Sequence, residues 1–318
     1  MIQSMIKGLV SVIIPTYNRA DSLVEAIRSA KAQTYPLTEI VVVDDGSCDH
    51  TALRAAELEG VWYYCQEHRG QGAARNFGLA RAKGQYIASL DSDDLWDEDF
   101  LTRSVECLEK FELDFVFSNW IKVRGNKTDS SEWLRDGAWK RYQTNLQGEW
   151  SLLGPAQLRS LFLERCPAPS SSLLMRRSSI VSGWGEQMQI ADDWYLLLDM
   201  ALARPCRAAF TLNPRWKKRV DGMNVYDGQP FAETIKKLYL HDYPFFARDF
   251  RLRLTRREKL ALAGRPMKYR ALLSLHRLLR MDFAVRVKLP AAFDKLRGLT
   301  RPVTTEEHRI QGRVLQQE

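Results

Sequence analysis

Short apolar, β-branched runs alternate with amphipathic stretches along the first part of the chain: LVSVIIP, ADSLVEAIRSAKAQ, EIVVVDD, DHTALRAAELE, VWYYCQE, GAARNFGLARAKG and QYIASLD. The apolar runs have the length of buried strands, and the stretches between them space their apolar residues as helices do. The pattern predicts β-α-β-α-β-α-β. Strands of this kind joined by single helices imply an α/β fold with a parallel sheet, helices on both faces and right-handed crossovers. In such sheets ligands bind beyond the carboxyl ends of the strands. The residues leaving the strands are Pro15 to Arg19, Asp44 to Ser47, His68 to Gly72 and Asp91 to Asp94, so the chemistry is expected among those four loops.

The third loop, RGQGAAR, resembles a dinucleotide-binding G-x-G-x-x-G, but Arg75 stands where the third glycine belongs. That glycine lets helix and strand pack closely, and a long cationic side chain does not replace it. Gly70 and Gly72 read better as a tight turn, with Arg75 free to reach a phosphate. The fourth loop, LDSDDLW, gathers Asp91, Asp93 and Asp94, with Asp97 just beyond. Carboxylates this close repel one another, so either solvent screens them or a cation holds them together. A hard divalent cation prefers oxygen ligands and is typically shared between one or two carboxylates and substrate phosphates. A solvated acidic turn or a helix N-cap before LWDEDFLTRSVECLEKF is the alternative, and Asp97 reads as such a helix-start residue.

Farther on, APSSSLLMRR reads as a strand with small hydroxyl residues, and ADDWYLLLDMA reads as a helix that buries Trp194, Leu197, Leu198 and Ala201 on one face. Asp192 and Asp193 sit at its positive N-terminal end, where they serve either as caps or as reactive carboxylates. Trp184, in SGWGEQMQI, is either a flat stacking face for a ligand or a core tryptophan. The stretch from Trp120 to Gln157, rich in Trp and charge, is expected to be a mobile loop.

Charge divides the chain. Residues 231–318 carry 20 Lys+Arg against 9 Asp+Glu, a net of +11, whereas residues 1–230 sum to −3. Two parts are therefore expected, an α/β domain over 1–230 and a basic, amphipathic helical region over 231–318. The latter reads as the helices FAETIKKLYLHDYPFFARDF, TRREKLALAG and MKYRALLSLHRLLRMDFAVRVKL. Basic amphipathic helices suit an anionic membrane surface, and a helical cap or a homodimer interface is the alternative. No nucleic-acid-binding module is recognisable, so no nucleic-acid partner is expected. The five scattered cysteines lack C-x-x-C spacing and suggest reduced thiols, hence the cytoplasm. No stretch approaches the ~18 apolar residues of a membrane span, and the first apolar patch reads as a strand rather than a signal peptide.

SVIIPTYNR, VVVDDGS, GAARNFGLARAKGQYIASLDSDD and ADDWYLLLDMA occur in the order, and at roughly the spacing, found in family 2 glycosyltransferases, the large inverting group with the GT-A fold. The chain resembles that family over residues 9 to about 225. The resemblance implies transfer of a sugar from a nucleotide-diphosphate donor, a UDP-sugar by expectation, to a hydroxyl of a glycan, lipid-linked or other acceptor, in bacterial cell-surface polysaccharide or glycoconjugate synthesis. It places the D-x-D pair on Asp91 and Asp93. Asp93 would take Mg²⁺ or Mn²⁺, Asp91 the donor ribose or sugar, Ser92 the donor nucleotide and Asp94 the sugar, with Trp184 and the stretch from Trp120 to Gln157 on the acceptor side. Asp45 would accept a hydrogen bond from uracil, and Pro15, Thr16 and Tyr17 would supply backbone and ring contacts. Arg19 and Arg75 would lie near the pyrophosphate or base. Asp193 would be the catalytic base, with Asp192 before it. Two positions depart from the family pattern. His68 stands where many relatives carry Asn, and in RWKKRVDGMNVY Asp221 replaces a histidine and becomes a second candidate metal ligand. A relative that only binds a sugar nucleotide or glycan, and a nucleotidyltransferase, are the competing readings.

Overall fold

The computed structural model describes residues 5–125, 127–130, 137–220 and 230–281. The order of elements is β1 (Ile6–Thr16), α1 (Ala20–Lys31), β2 (Thr38–Asp44), α2 (Thr51–Ala56), β3 (Val61–Cys65), α3 (Gln71–Arg81), β4 (Gly84–Ser89), β5 (Leu95–Trp96) and α4 (Phe100–Lys110). Then come β6 (Phe115–Arg124), β7 (Lys127–Ser130), β8 (Leu146–Gln147), β9 (Trp150–Leu153), α5 (Pro155–Glu164), β10 (Leu173–Arg176), α6 (Asp192–Ala203) and β11 (Ala208–Arg219). Three helices follow, α7 (Phe231–Ile235), α8 (Tyr243–Asp249) and α9 (Arg256–Met281), with a π-helical segment at Lys236–Asp242 between the first two.

All seven alternating segments fold as the pattern predicts. The strands lie in the order β3-β2-β1-β4-β10-β6-β11-β9-β8, with β5 on β11 and β7 on β6. The β3-β2-β1-β4 half is parallel, as is the β6–β11 pair, whereas β10 runs antiparallel between β4 and β6. The pleat sorts side chains by period two. Ile13, Ile87, Phe115, Phe117 and Met175 face a core shared with α5, α6 and α8. Their neighbours Val12, Ile14, Tyr86, Ala88, Val116 and Leu174 face a second core with α1 and α4. α3 lies on the first face, where a Cβ on Gly78 would come within 2.6 Å of Ile13 Cγ2. The close helix–strand contact that Arg75 denies to a dinucleotide fingerprint is thus made one turn later, at Gly78.

Two expectations are corrected. Trp120 to Gln157 is not a loop: among its described residues it extends β6, adds β7, β8 and β9 to the sheet, and buries Trp120, Trp139 and Trp150. Burying those indoles outweighs the polar composition. The two helices expected on either side of Pro266 are one, since α9 runs through that proline.

The first compact unit extends to Arg270 and contains residues 1–230 and the helices α7 and α8. The second begins at Ala271 and is described only to Met281, as helix. Among the described residues no helix is long and apolar enough to cross a membrane.

Candidate active site

The parallel half of the sheet delivers its loops to one end. Pro15 and Thr16 close β1, with the Thr16 hydroxyl buried. Tyr17 follows at 44% exposure, its ring 4.3 Å from that of His68. Arg19 Nη2 lies 3.3 Å from Asp93 Oδ2, which joins the β1 loop to the acidic knot after β4.

Asp44 and Asp45 do not cap α2, whose N-cap is His50 and whose first amide, Thr51 N, donates to Asp49 Oδ1 at 2.9 Å. Asp44 accepts from Ser47 N at 2.8 Å and from the Tyr63 hydroxyl. Asp45 is buried and organises the β3–α3 loop. Its Oδ1 accepts from Arg69 N at 2.9 Å and Gln66 Nε2 at 2.7 Å, and its Oδ2 from Gly70 N at 2.7 Å. His68 Nδ1 lies 2.9 Å from that same Oδ2. Gly70 makes this wrap possible with φ of +93°.

Arg75 is the largest correction. It is not free to reach a phosphate but buried at the centre of three carboxylates. Its Nη2 donates to Asp91 Oδ1 at 2.6 Å, its Nη1 to Asp192 Oδ2, and the same Nη1 lies 3.8 Å from Asp193 Oδ1. Its Nε donates to Ser89 Oγ at 3.2 Å. The acids after β4 and those opening α6 are far apart in sequence, and one guanidinium gathers them. Their negative charge in turn raises the arginine's own pKa against its burial.

Asp91, Asp93 and Asp94 each present an oxygen within 4.8 Å of the others. Three hard oxygen donors so grouped fit a divalent cation of the Mg²⁺ or Mn²⁺ kind. Asp94 is buried, accepting from Ser171 Oγ at 2.7 Å and Arg219 N at 3.2 Å. Burial raises its pKa well above the carboxylate range; nearby Lys218 pulls it down, and Asp91 and Asp93 push it up. Ser92, between them, is buried as well. Arg219 also pairs with Glu25. Asp221 lies outside the described residues.

The α6 acids do not cap their helix, whose N-cap is Ala191. Asp192 is fully buried, accepting from Gln71 Nε2 at 2.7 Å and from Arg75. Burial pushes its pKa up to about 7, with Arg75 opposing and Asp193 adding to the rise. Asp193 is held by both donors of Ser170: the backbone N–H to Oδ2 at 3.0 Å and the hydroxyl to Oδ1. Its pKa is raised too, first by burial, against Arg75 and with Asp91. Trp184 is 2% exposed, and its Nε1 donates to Ser170 Oγ at 3.1 Å. Its ring is therefore core and not a stacking face; what it adds to the site is orientation of Ser170.

Ser170, Ser171 and Gln71 are partners that sequence reasoning missed. The SSS run after Pro169 is the one visible signal of the two serines; Gln71 has none.

A family model described as Glycosyl transferase family 2 matches residues 11–180. TuaG of Bacillus subtilis, whose name ties it to teichuronic acid biosynthesis, is 37% identical over 133 residues, 40% of this chain and 53% of that protein. The UDP-Glc:alpha-D-GlcNAc-diphosphoundecaprenol beta-1,3-glucosyltransferase WfaP of Escherichia coli is 36% identical over 115 residues, 35% of this chain and 46% of WfaP. The chain thus spans about half the length of these curated relatives. In shape it resembles Staphylococcus aureus TarS 1–349 in complex with UDP, with TM-score 0.53 and 20% identity, covering 79% of this chain and 76% of that one. It also resembles the mannosyltransferase PcManGT of Pyrobaculum calidifontis in complex with GDP-Man and Mn²⁺, with TM-score 0.55 and 21% identity, over 91% of this chain and 79% of that one.

Proposed function

The chain belongs to glycosyl transferase family 2 and has the GT-A fold, and from that premise we propose that it moves a sugar from a UDP-sugar to a hydroxyl acceptor with inversion, Asp193 acting as general base. The observation that carries this reading is the convergence of the β4 acids and the α6 acids on buried Arg75. A donor-side carboxylate and an acceptor-side carboxylate are thereby held in one frame. An inverting displacement needs one base, on the face opposite the leaving diphosphate. Burial raises the pKa of Asp193, and a base works best with a pKa near the working pH.

Asp93 and Asp91, with Asp94 behind them, would hold Mg²⁺ or Mn²⁺ together with the donor phosphates, and Asp221 is a further candidate ligand from its place in the sequence. When bound, the ion would neutralise charge on the departing diphosphate. Tyr17 and His68, paired and exposed, would meet the base; Pro15, Thr16, Asp45, Arg19 and Ser92 would line the nucleotide side. Asp45 would act there through the loop it ties.

UDP is favoured as the nucleotide because WfaP is named for UDP-Glc and TarS is complexed with UDP. A lipid-linked acceptor fits WfaP's diphosphoundecaprenol substrate. It fits also the basic region from 231, which we assign to an anionic membrane surface. In residues 251–270 six Arg and two Lys face one acid, Glu258, while Leu252, Leu260 and Met267 are 96%, 75% and 70% exposed. The test is a nucleotide-sugar screen for turnover with Mn²⁺, Mg²⁺ and EDTA. UDP-sugar turnover that EDTA abolishes, and that Asp93→Asn removes with the fold intact, is expected. Donor binding without turnover would leave the chain a sugar-nucleotide-binding relative, and full activity in EDTA would sink the metal assignment.

A further inference from the structure

Three backbone N–H groups lead into α6, and a buried N–H must find a partner. Those of Gln189, Ile190 and Ala191 all donate to one carboxylate, Asp242, at 2.9, 2.9 and 3.0 Å. Asp242 is fully buried and lies at the end of the π-helical segment, beyond the stretch that matches the family model. The carboxylate also meets its sequence neighbour His241, whose Nδ1 lies 2.8 Å from Oδ1.

The same region grips α6 along its length. Tyr243 and Phe246 set their ring edges on Trp194 at 5.5 and 5.4 Å, and Phe250 lies 4.9 Å from Tyr195. Arg248 Nη2 donates to Gln187 Oε1 at 3.0 Å, and Arg253 pairs with buried Asp199. A π-helical turn is uncommon and is often found at functional sites. Here it ends on the residue that holds the loop before Asp192 and Asp193.

We propose that Asp242 is a positioning residue for the transfer: it fixes the loop 189–191 and so sets where α6 presents Asp193 to Ser170 and Arg75. This rests on the reading of Asp193 as the base. The role is indirect, because the oxygens of Asp242 are taken by protein donors and it touches no reacting group. A carboxylate suits the task since its two oxygens accept all three N–H bonds at once. Asparagine offers one oxygen and turns an N–H donor toward the remaining amide.

The test uses the full chain with Asp242→Asn, Asp242→Glu and, as reference, Asp193→Asn, assayed with the UDP-sugar that the screen selects. Asp242→Glu keeps the charge while displacing the carboxylate by one methylene, so it separates position from charge. In both Asp242 variants kcat is expected to fall by roughly 10²-fold, the effect of a misplacement of about 1 Å, with UDP affinity within about twofold. Amide hydrogen exchange at 189–191 is expected to accelerate at least about tenfold, matching about 1.4 kcal/mol. If Asp242→Asn fails to fold, Asp242→Glu decides alone. Folded Asp242 variants with normal kcat would overturn the positioning role while Asp193→Asn still loses turnover; an active Asp193→Asn would instead remove the base assignment beneath it.

Discussion

Replacing Arg75 by Met keeps much of the aliphatic stem and removes the charge that holds Asp91, Asp192 and Asp193 together. Removing one partner of a buried ion pair typically costs about 3–5 kcal/mol, because the other charge stays buried without compensation. The loss depends on pH. Burial raises Asp192 to about 7 from an ordinary 3.8, and Asp193 rises in the same direction. An acid raised in the folded chain binds its proton more tightly there than when unfolded. Its stabilising contribution is complete below the ordinary carboxylate value and is lost as pH rises through the folded one. Without Arg75 both acids rise further. At pH 5 Asp192 is largely neutral in the variant, and the deficit shrinks toward that of lost hydrogen bonds, about 1–3 kcal/mol; at pH 8 the full deficit applies. Calorimetry of the ligand-free chain should therefore show Tm lowered by about 6–20 °C at pH 8 and by clearly less at pH 5. An unchanged Tm at both pH values, with UDP binding lost, would refute this and return Arg75 to a phosphate-binding role.

Ser170→Ala removes the hydroxyl from Asp193 and leaves the buried Trp184 N–H without its acceptor, for about 1–3 kcal/mol of stability. Since that hydroxyl lowers the Asp193 pKa, the acid limb of the pH–rate profile should move to higher pH; an unmoved limb contradicts the pairing. Changing Leu252, Leu260 and Met267 together to Gln should weaken binding to anionic vesicles by about tenfold or more, with intact binding falling as salt shortens the ~10 Å Debye length. Sedimentation with vesicles checks both, and an intact chain that ignores them at low salt removes the membrane assignment.

The parallel half of the fold is legible because its strands and helices each bury a local, periodic set of residues. Val12 and Ile13 need only alternate to face opposite cores. The stretch around Trp150 resists this: β8 and β9 have two and four residues, too short for a period, and what stabilises them is the indole they bury. Pro266 misleads for a different reason, since its local preference to end a helix is overridden in α9. Within the site, the loops that carry the acids follow from strand ends, but the partners do not. Arg75 meets Asp192 across 117 positions and Asp242 meets Ala191 across 51, and no spacing rule encodes contacts made by tertiary packing. That is why Arg75 reads as free in the sequence and Asp242 gives no signal there.

The most direct test of the central claim is the anomeric outcome and its dependence on Asp193. With the UDP-sugar selected by turnover, NMR of the product should show the linkage inverted relative to the donor. Asp193→Asn should lower kcat by about 10²- to 10⁴-fold, the usual contribution of a general base, with UDP affinity nearly unchanged and a stability loss of no more than about 1–3 kcal/mol, since one of the two Ser170 donors then faces the amide. A product that retains the donor configuration, or an Asp193→Asn enzyme that transfers at the normal rate, would contradict the account.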